Sequence, residues 1–184
     1  MSEAGRAAVI RWAGILILLL AIASAFLPME KTYPPHIVIG VLLTLAGAFE
    51  LAAVVARRGH HIPAGLAAAA SLLAGLRLLV DPDVNFLTIL NFVILWLVVR
   101  SAALFLSARR SHRPLCTWVY LAAAVDFALA VLLLAGLPIA VLVYGLFGTT
   151  DEILATFAWV FAASFIAAGW LLVVAAPLEA SETD

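Results

Sequence analysis

Hydrophobic residues fall into six long runs, and short polar segments containing proline, arginine or aspartate separate these runs. Each run holds about 20 mainly apolar residues, the length that an α-helix needs to cross the hydrocarbon core of a bilayer. The pattern therefore predicts six transmembrane helices, over residues 8–27, 36–56, 62–80, 87–108, 115–137 and 153–176. We expect an all-α membrane protein, with a single integral membrane domain over residues 1–184.

Composition excludes a soluble domain. The 184 residues are 66% hydrophobic and 11% charged, whereas a soluble domain has about 45–50% apolar and 25% charged residues. The lipid bilayer is therefore the expected partner, and nucleic acid is not.

No phosphate-binding loop, nucleophile elbow, HExxH or paired-cysteine motif occurs. We accordingly expect a protein that is not an enzyme and holds neither a cofactor nor a metal.

Basic residues are distributed unevenly among the predicted loops. The N-terminal segment and the turns at 57–61 and 109–114 carry seven of them: Arg6, Arg11, Arg57, Arg58, Arg109, Arg110 and Arg113. The alternate loops carry Lys31 alone, together with several acids. Because cytoplasmic loops of membrane proteins are enriched in arginine and lysine, this bias predicts that both termini are cytoplasmic.

The chain also contains an internal repeat. Pro28, Pro82 and Pro138 each close an outward-going helix, at spacings of 54 and 56 residues. The helices therefore form three consecutive helical hairpins of the same orientation, over residues 1–58, 59–113 and 114–184. The apolar segment 138–148 is too short to cross a bilayer. We expect it to be a short outer-side helix or a bent extension of the fifth helix, with a re-entrant segment as the alternative.

Each hairpin has a first helix rich in small residues that closes at a proline, and an arginine-bearing turn follows the first two hairpins. This arrangement, with the segments LTLAGAFELAAVVARR and FIAAGWLLVVAA, resembles the HdeD-like acid-resistance membrane protein family. The fourth helix departs from the pattern, because it has Arg100 and Ser101 where a small residue is expected. The resemblance implies a bacterial inner-membrane protein linked to acid or envelope-stress tolerance, without catalytic residues.

Three charged residues stand inside predicted spans at comparable depth: Glu50, Arg100 and Asp126. Counted from the arginine-bearing turns at 1.5 Å per residue, their depths agree within roughly 8 Å. Charge inside a bilayer is costly, so we expect these residues to form a buried polar cluster. A structural ion pair is the favoured interpretation. The alternative is a polar pathway through a small transporter or channel.

A second polar group is predicted near the outer ends of the third and fourth helices. Arg77 stands four residues before Asp81, a spacing that allows an ion pair on one helix. Asn91 lies at a similar depth on the next helix. We expect these three residues to form an outer-side polar group, with Arg77 reaching towards the interface.

Small residues recur every four positions on the second and third helices. The stripes are Gly40, Thr44 and Ala48, and Ala67, Ser71 and Gly75. Such spacing lets two transmembrane helices approach closely. We expect packing within one chain, and contact between two copies in a homo-oligomer is the alternative.

Overall fold

A computed structural model describes residues 3–27, 33–57, 62–80, 86–109, 111, 115–136, 145 and 152–181. These residues form six α-helices and no β-strand: α1 (Glu3–Phe26), α2 (Pro35–Ala56), α3 (Ile62–Val80), α4 (Phe86–Ala108), α5 (Leu115–Leu134) and α6 (Glu152–Ser181). All six helices are long and apolar enough to span a membrane. The predicted fold class, a six-span membrane protein, is confirmed.

Helix boundaries differ from the predicted spans at three places. Helix α1 begins earlier, at Glu3, whose carboxylate lies 3.6 Å from the guanidinium of Arg6 one turn further on. Helix α5 ends three residues early, because Gly136 adopts a positive φ of 64° and donates its N–H to the Leu133 carbonyl. Helix α6 continues through Pro177. The segment 138–148 lies outside the described residues, apart from Gly145.

The helices form a closed ring in chain order. Each helix packs antiparallel against the next, and α6 also packs against α1. Helix α6 is the innermost, since 61% of its spanning segment is buried, against at most 44% for any other span. The ring places Arg57, Arg109 and the start of α1 at one end of the bundle, which we call the arginine end.

The outer surface of the ring is apolar. Large hydrophobic side chains that are more than half exposed occur on all five of the less buried helices, and they include Trp12, Val55, Leu73, Leu87 and Leu134. A continuous apolar surface of this kind indicates contact with lipid.

The most extensive packing joins neighbouring hairpins, in the pairs α1–α6, α2–α3 and α4–α5. Backbones approach closely there because glycines leave room. A Cβ atom on Gly169 would lie 2.8 Å from the Gly14 carbonyl oxygen, and one on Gly75 would lie 2.4 Å from the Thr44 amide nitrogen. Gly40 and Thr44 of the predicted α2 stripe therefore pack against Gly75 of the α3 stripe within one chain, whereas Ala48 is exposed and Gly47 makes the next close contact.

The three close interfaces repeat the same arrangement. Gly47 faces the backbone of Ala68 on α3, and Gly169 faces that of Gly14 on α1. At the α4–α5 interface, Ser101 takes the corresponding position and its hydroxyl donates to the Ala123 carbonyl at 2.9 Å. The partners Gly14, Ala68 and Ala123 are 54 and 55 residues apart, which is the hairpin repeat. The departure of α4 from the small-residue pattern thus adds a hydrogen bond between helices.

Substitution of Gly75 by alanine should destabilise the bundle. The new Cβ would collide with the backbone of α2, and such overpacking costs about 1–3 kcal/mol. The matched control is Gly65→Ala on the same helix, where the Cβ would meet only a Val54 methyl carbon at 3.8 Å. Detergent melting should show a lower Tm for Gly75→Ala and an unchanged or higher Tm for Gly65→Ala. Equal melting of both variants would contradict the tight α2–α3 contact.

Candidate functional site

Arg100 joins four helices near the middle of the bundle. Its Nη1 atom donates to Asp126 Oδ2 on α5 at 2.7 Å and to Ser164 Oγ on α6 at 2.7 Å. Its Nη2 atom donates to Glu50 Oε1 on α2. Ser164 in turn donates to the other Asp126 oxygen at 2.6 Å. We call Glu50, Arg100, Asp126 and Ser164 the charge cluster.

The cluster is almost completely enclosed. Arg100 is 2% exposed, and neither Asp126 nor Ser164 is exposed at all. A buried charge without a partner costs several kcal/mol, so removal of one partner penalises the others. The cluster contains one guanidinium and two carboxyl groups. Arg100 therefore has one more acidic partner than its charge requires.

Trp96 extends the cluster to α3. The Arg100 guanidinium lies 5.6 Å from the centre of the Trp96 ring, within the range of a cation–π contact. The indole Nε1 donates to Ser71 Oγ at 3.0 Å, and Ser71 donates to the Ala67 carbonyl of its own helix at 3.2 Å. Five of the six helices are thus linked by hydrogen bonds or ring contacts that lead back to Arg100.

The repeat explains where these polar bonds occur. Ser71 lies three residues after Ala68, and Asp126 lies three residues after Ala123. In the partner helices, Trp96 lies five residues before Ser101, and Ser164 lies five residues before Gly169. The bonds from Trp96 to Ser71 and from Ser164 to Asp126 therefore join corresponding positions of the second and third hairpins. The first hairpin has buried apolar residues at these positions, Ile17 and Leu42.

The two sides of the cluster differ. Towards the opposite end of the bundle, the fully buried rings of Phe157 and Phe161 pack with their centroids 6.3 Å apart. Towards the arginine end lies a cavity of about 40 Å³, which Glu50, Arg57 and Arg100 line together with apolar side chains. A water molecule needs about 10–15 Å³ of such space. Water therefore has room beside Glu50 and Arg100.

The structure brings together the three charged residues that the sequence singled out. It adds Ser164, which sequence reasoning missed. The depth of this serine could have indicated its role. Ser164 stands twelve residues from the predicted end of its helix at Ala176, and Asp126 stands eleven residues from the start of its helix at Leu115, so the two lie at similar depth. Arg77 and Asn91 lie elsewhere, with exposed side chains on the outer face of α3 and α4. Asp81 lies outside the described residues.

The described residues contain no group of three histidine, cysteine, aspartate or glutamate side chains that could hold a metal ion. The contacts of the charge cluster are ion pairs and hydrogen bonds. Its geometry allows it to fasten helices together and, through Glu50, to meet small polar molecules from one side.

The two carboxylates should support each other. Glu50→Gln or Asp126→Asn alone leaves Arg100 one charged partner, whereas the double variant leaves the guanidinium with none. Asp126→Asn should cost more than Glu50→Gln, because Asp126 also accepts the Ser164 hydroxyl. The loss of stability in the double variant should exceed the sum of the single losses by about 1–2 kcal/mol. Denaturant titrations in detergent would measure the free energy of unfolding of the three variants. Additive losses would show that the carboxylates act independently.

Comparison with known proteins places the chain in a family. Two matches to a family model described as a short repeat of unknown function, DUF308, cover residues 12–80 and 66–135. The matches begin 54 residues apart, which is the spacing of the hairpin repeat, and together they cover more than half of the chain. No curated protein and no solved structure matches. The chain belongs to the DUF308 family, which is the family of HdeD-like membrane proteins.

Proposed function

We propose that this protein is a non-enzymatic, multi-pass inner-membrane protein that contributes to tolerance of acid or envelope stress. Membership of the family of HdeD-like membrane proteins supports this assignment. The structural observation that carries it is the charge cluster, in which one guanidinium lies between two carboxylates.

This arrangement suits a membrane protein that must stay folded in acid. Glu50 Oε1 binds Arg100, and within the described part of the chain Oε2 makes no hydrogen bond. The Glu50 side chain is 11% exposed and lines the cavity, whereas the Asp126 side chain is 1% exposed. Glu50 is therefore the carboxylate of the cluster that borders the cavity at the arginine end.

Two carboxylate partners make the ion pairing of Arg100 redundant. If acid neutralises one of them, the guanidinium keeps the other. With a single carboxylate partner, one protonation would strand the guanidinium, which costs about 2.5–3.5 kcal/mol at a membrane centre on insertion scales. The second carboxylate thus protects the buried Arg100 during acidification.

A gene deletion tests the proposed function. Cells that lack this chain should survive acid or envelope stress less well than the parent strain. The wild-type chain and an Arg109→Gln variant should restore survival, because Arg109 is exposed at the bundle end. Arg100→Leu should not restore survival, because it leaves two carboxylates buried without a cation. Unchanged survival of the deletion strain in both stresses would refute the proposal.

The cavity is the one observation that favours the alternative, a small transporter or channel. It reaches Glu50 and Arg100 from the arginine end. A pathway must also continue beyond the cluster, and there the side chains of Phe157, Phe161 and Val93 are packed with no exposure. The paired, one-sided cluster supports a structural role better than a transport role.

We further propose that both termini lie in the cytoplasm. The arginine bias of the loops supports this orientation, since Arg57 and Arg109 lie at the same end of the bundle as the start of α1 and the end of α6. Ser111→Cys and Asp83→Cys variants test it by labelling intact cells with a membrane-impermeant thiol reagent, in a Cys116→Ser background. Residue 83 should react and residue 111 should not. The reverse pattern would invert the assigned topology.

A further inference from the structure

The seam between the first and last helices opens into a groove at the arginine end. Its volume is about 620 Å³, and its lining includes Ala8, Arg11 and Trp12 on α1, and Val173 and Pro177 on α6. We call it the α1–α6 groove. It lies on the outer surface of the bundle, and the close contact between Gly14 and Gly169 lies next to it. The groove therefore faces the surrounding membrane.

Arg11 supplies the charge of the groove. Of the described residues that line it, Arg11 alone is charged, and its exposed guanidinium makes no hydrogen bond or ion pair within the described chain. Arg11 stands eight residues into α1, about 12 Å along the helix axis. A cation at this level of a membrane helix attracts the negative headgroups of lipids.

Two neighbouring groups add specificity for a phospholipid. Trp12 is 63% exposed, and tryptophan side chains with an apolar body and an N–H donor favour the headgroup level of a bilayer. Pro177 has no N–H, so the Val173 carbonyl one turn earlier lacks the usual helical bond from that position. The groove thus combines a cation for a phosphate, a tryptophan suited to the headgroup level and apolar walls for acyl chains.

We propose that the α1–α6 groove binds the headgroup of an anionic phospholipid and that this lipid stabilises the closure of the ring. The other extensively packed pairs are consecutive in the chain, whereas α1 and α6 are the first and last of the six helices and no short connection joins them. A lipid that contacts both helices opposes their separation. The apolar walls favour a lipid over free phosphate, and the positive charge favours an anionic headgroup over a neutral one.

Lipid binding to the purified full chain tests the proposal. Phosphatidylglycerol and phosphatidylcholine with identical acyl chains are added to the protein in neutral detergent, and native mass spectrometry and melting curves are recorded. Phosphatidylglycerol should bind wild type more tightly and raise its Tm more than phosphatidylcholine does. Arg11→Gln should weaken phosphatidylglycerol binding about fivefold, the equivalent of about 1 kcal/mol for one basic residue at an anionic surface.

Matched variants separate this groove from the general charge of the surface. Arg109→Gln removes an exposed arginine at the same end of the bundle, in the turn after α4, and should leave the preference for phosphatidylglycerol unchanged. Ala8→Trp keeps Arg11 but fills the groove, so it should also abolish the preference. Equal losses in Arg11→Gln and Arg109→Gln would overturn the proposal.

Three further results would also overturn it. The first is an equal response of wild type to the two lipids. The second is equal stabilisation by millimolar inorganic phosphate, which would identify an ion site. The third is a dimer that Arg11→Gln dissociates in the absence of lipid, which would identify a second copy as the occupant. The test is independent of the proposed role in stress tolerance, because it measures lipid binding alone.

Discussion

The structure depends on burying one guanidinium inside a membrane. Arginine stays protonated in proteins, so Arg100 cannot escape the cost of burial by losing its charge. It must find negative charge and hydrogen-bond acceptors, and they come from three other helices: the carboxyl groups of Glu50 and Asp126 and the hydroxyl of Ser164. These bonds set the depth and rotation of four helices at once. Apolar packing alone would tolerate a rotation or a shift of one helix, whereas a directional ion pair would be broken by it.

Close helix packing provides the frame in which these bonds form. Glycine at positions 47 and 169 lets backbones touch between neighbouring hairpins, and Ser101 takes the same position at the third interface. The repeat then places corresponding side chains at corresponding depths. At one such position the second and third hairpins have the hydrogen-bond donors Trp96 and Ser164. The first hairpin has the buried apolar residue Leu42 at the same position. The first hairpin accordingly contributes only Glu50 to the charge cluster.

The two carboxylates have different surroundings although they share one cation. Asp126 is enclosed by α4, α5 and α6 and accepts bonds from both Arg100 and Ser164. Glu50 binds through one oxygen and borders the cavity at the arginine end. Asp126 is therefore a partner of Arg100 enclosed by helices, whereas Glu50 is a partner that borders a cavity with room for water. Arg57, at the mouth of the same cavity, adds positive charge on the route to Glu50.

The sequence by itself determined the six spans, the hairpin repeat and the shared depth of Glu50, Arg100 and Asp126. These are local properties, because the apolar length of a segment and the rise of a helix do not depend on its neighbours. The tertiary structure alone decided the role of Ser164. A serine in a membrane helix can bond its own backbone, as Ser71 does, or another helix, as Ser24 and Ser101 do, and its sequence position does not distinguish the two. The closure of α6 against α1, the tight pairing between hairpins and the cavity beside Glu50 also came from the tertiary structure, because they depend on helix rotation and on contacts between residues far apart in the chain.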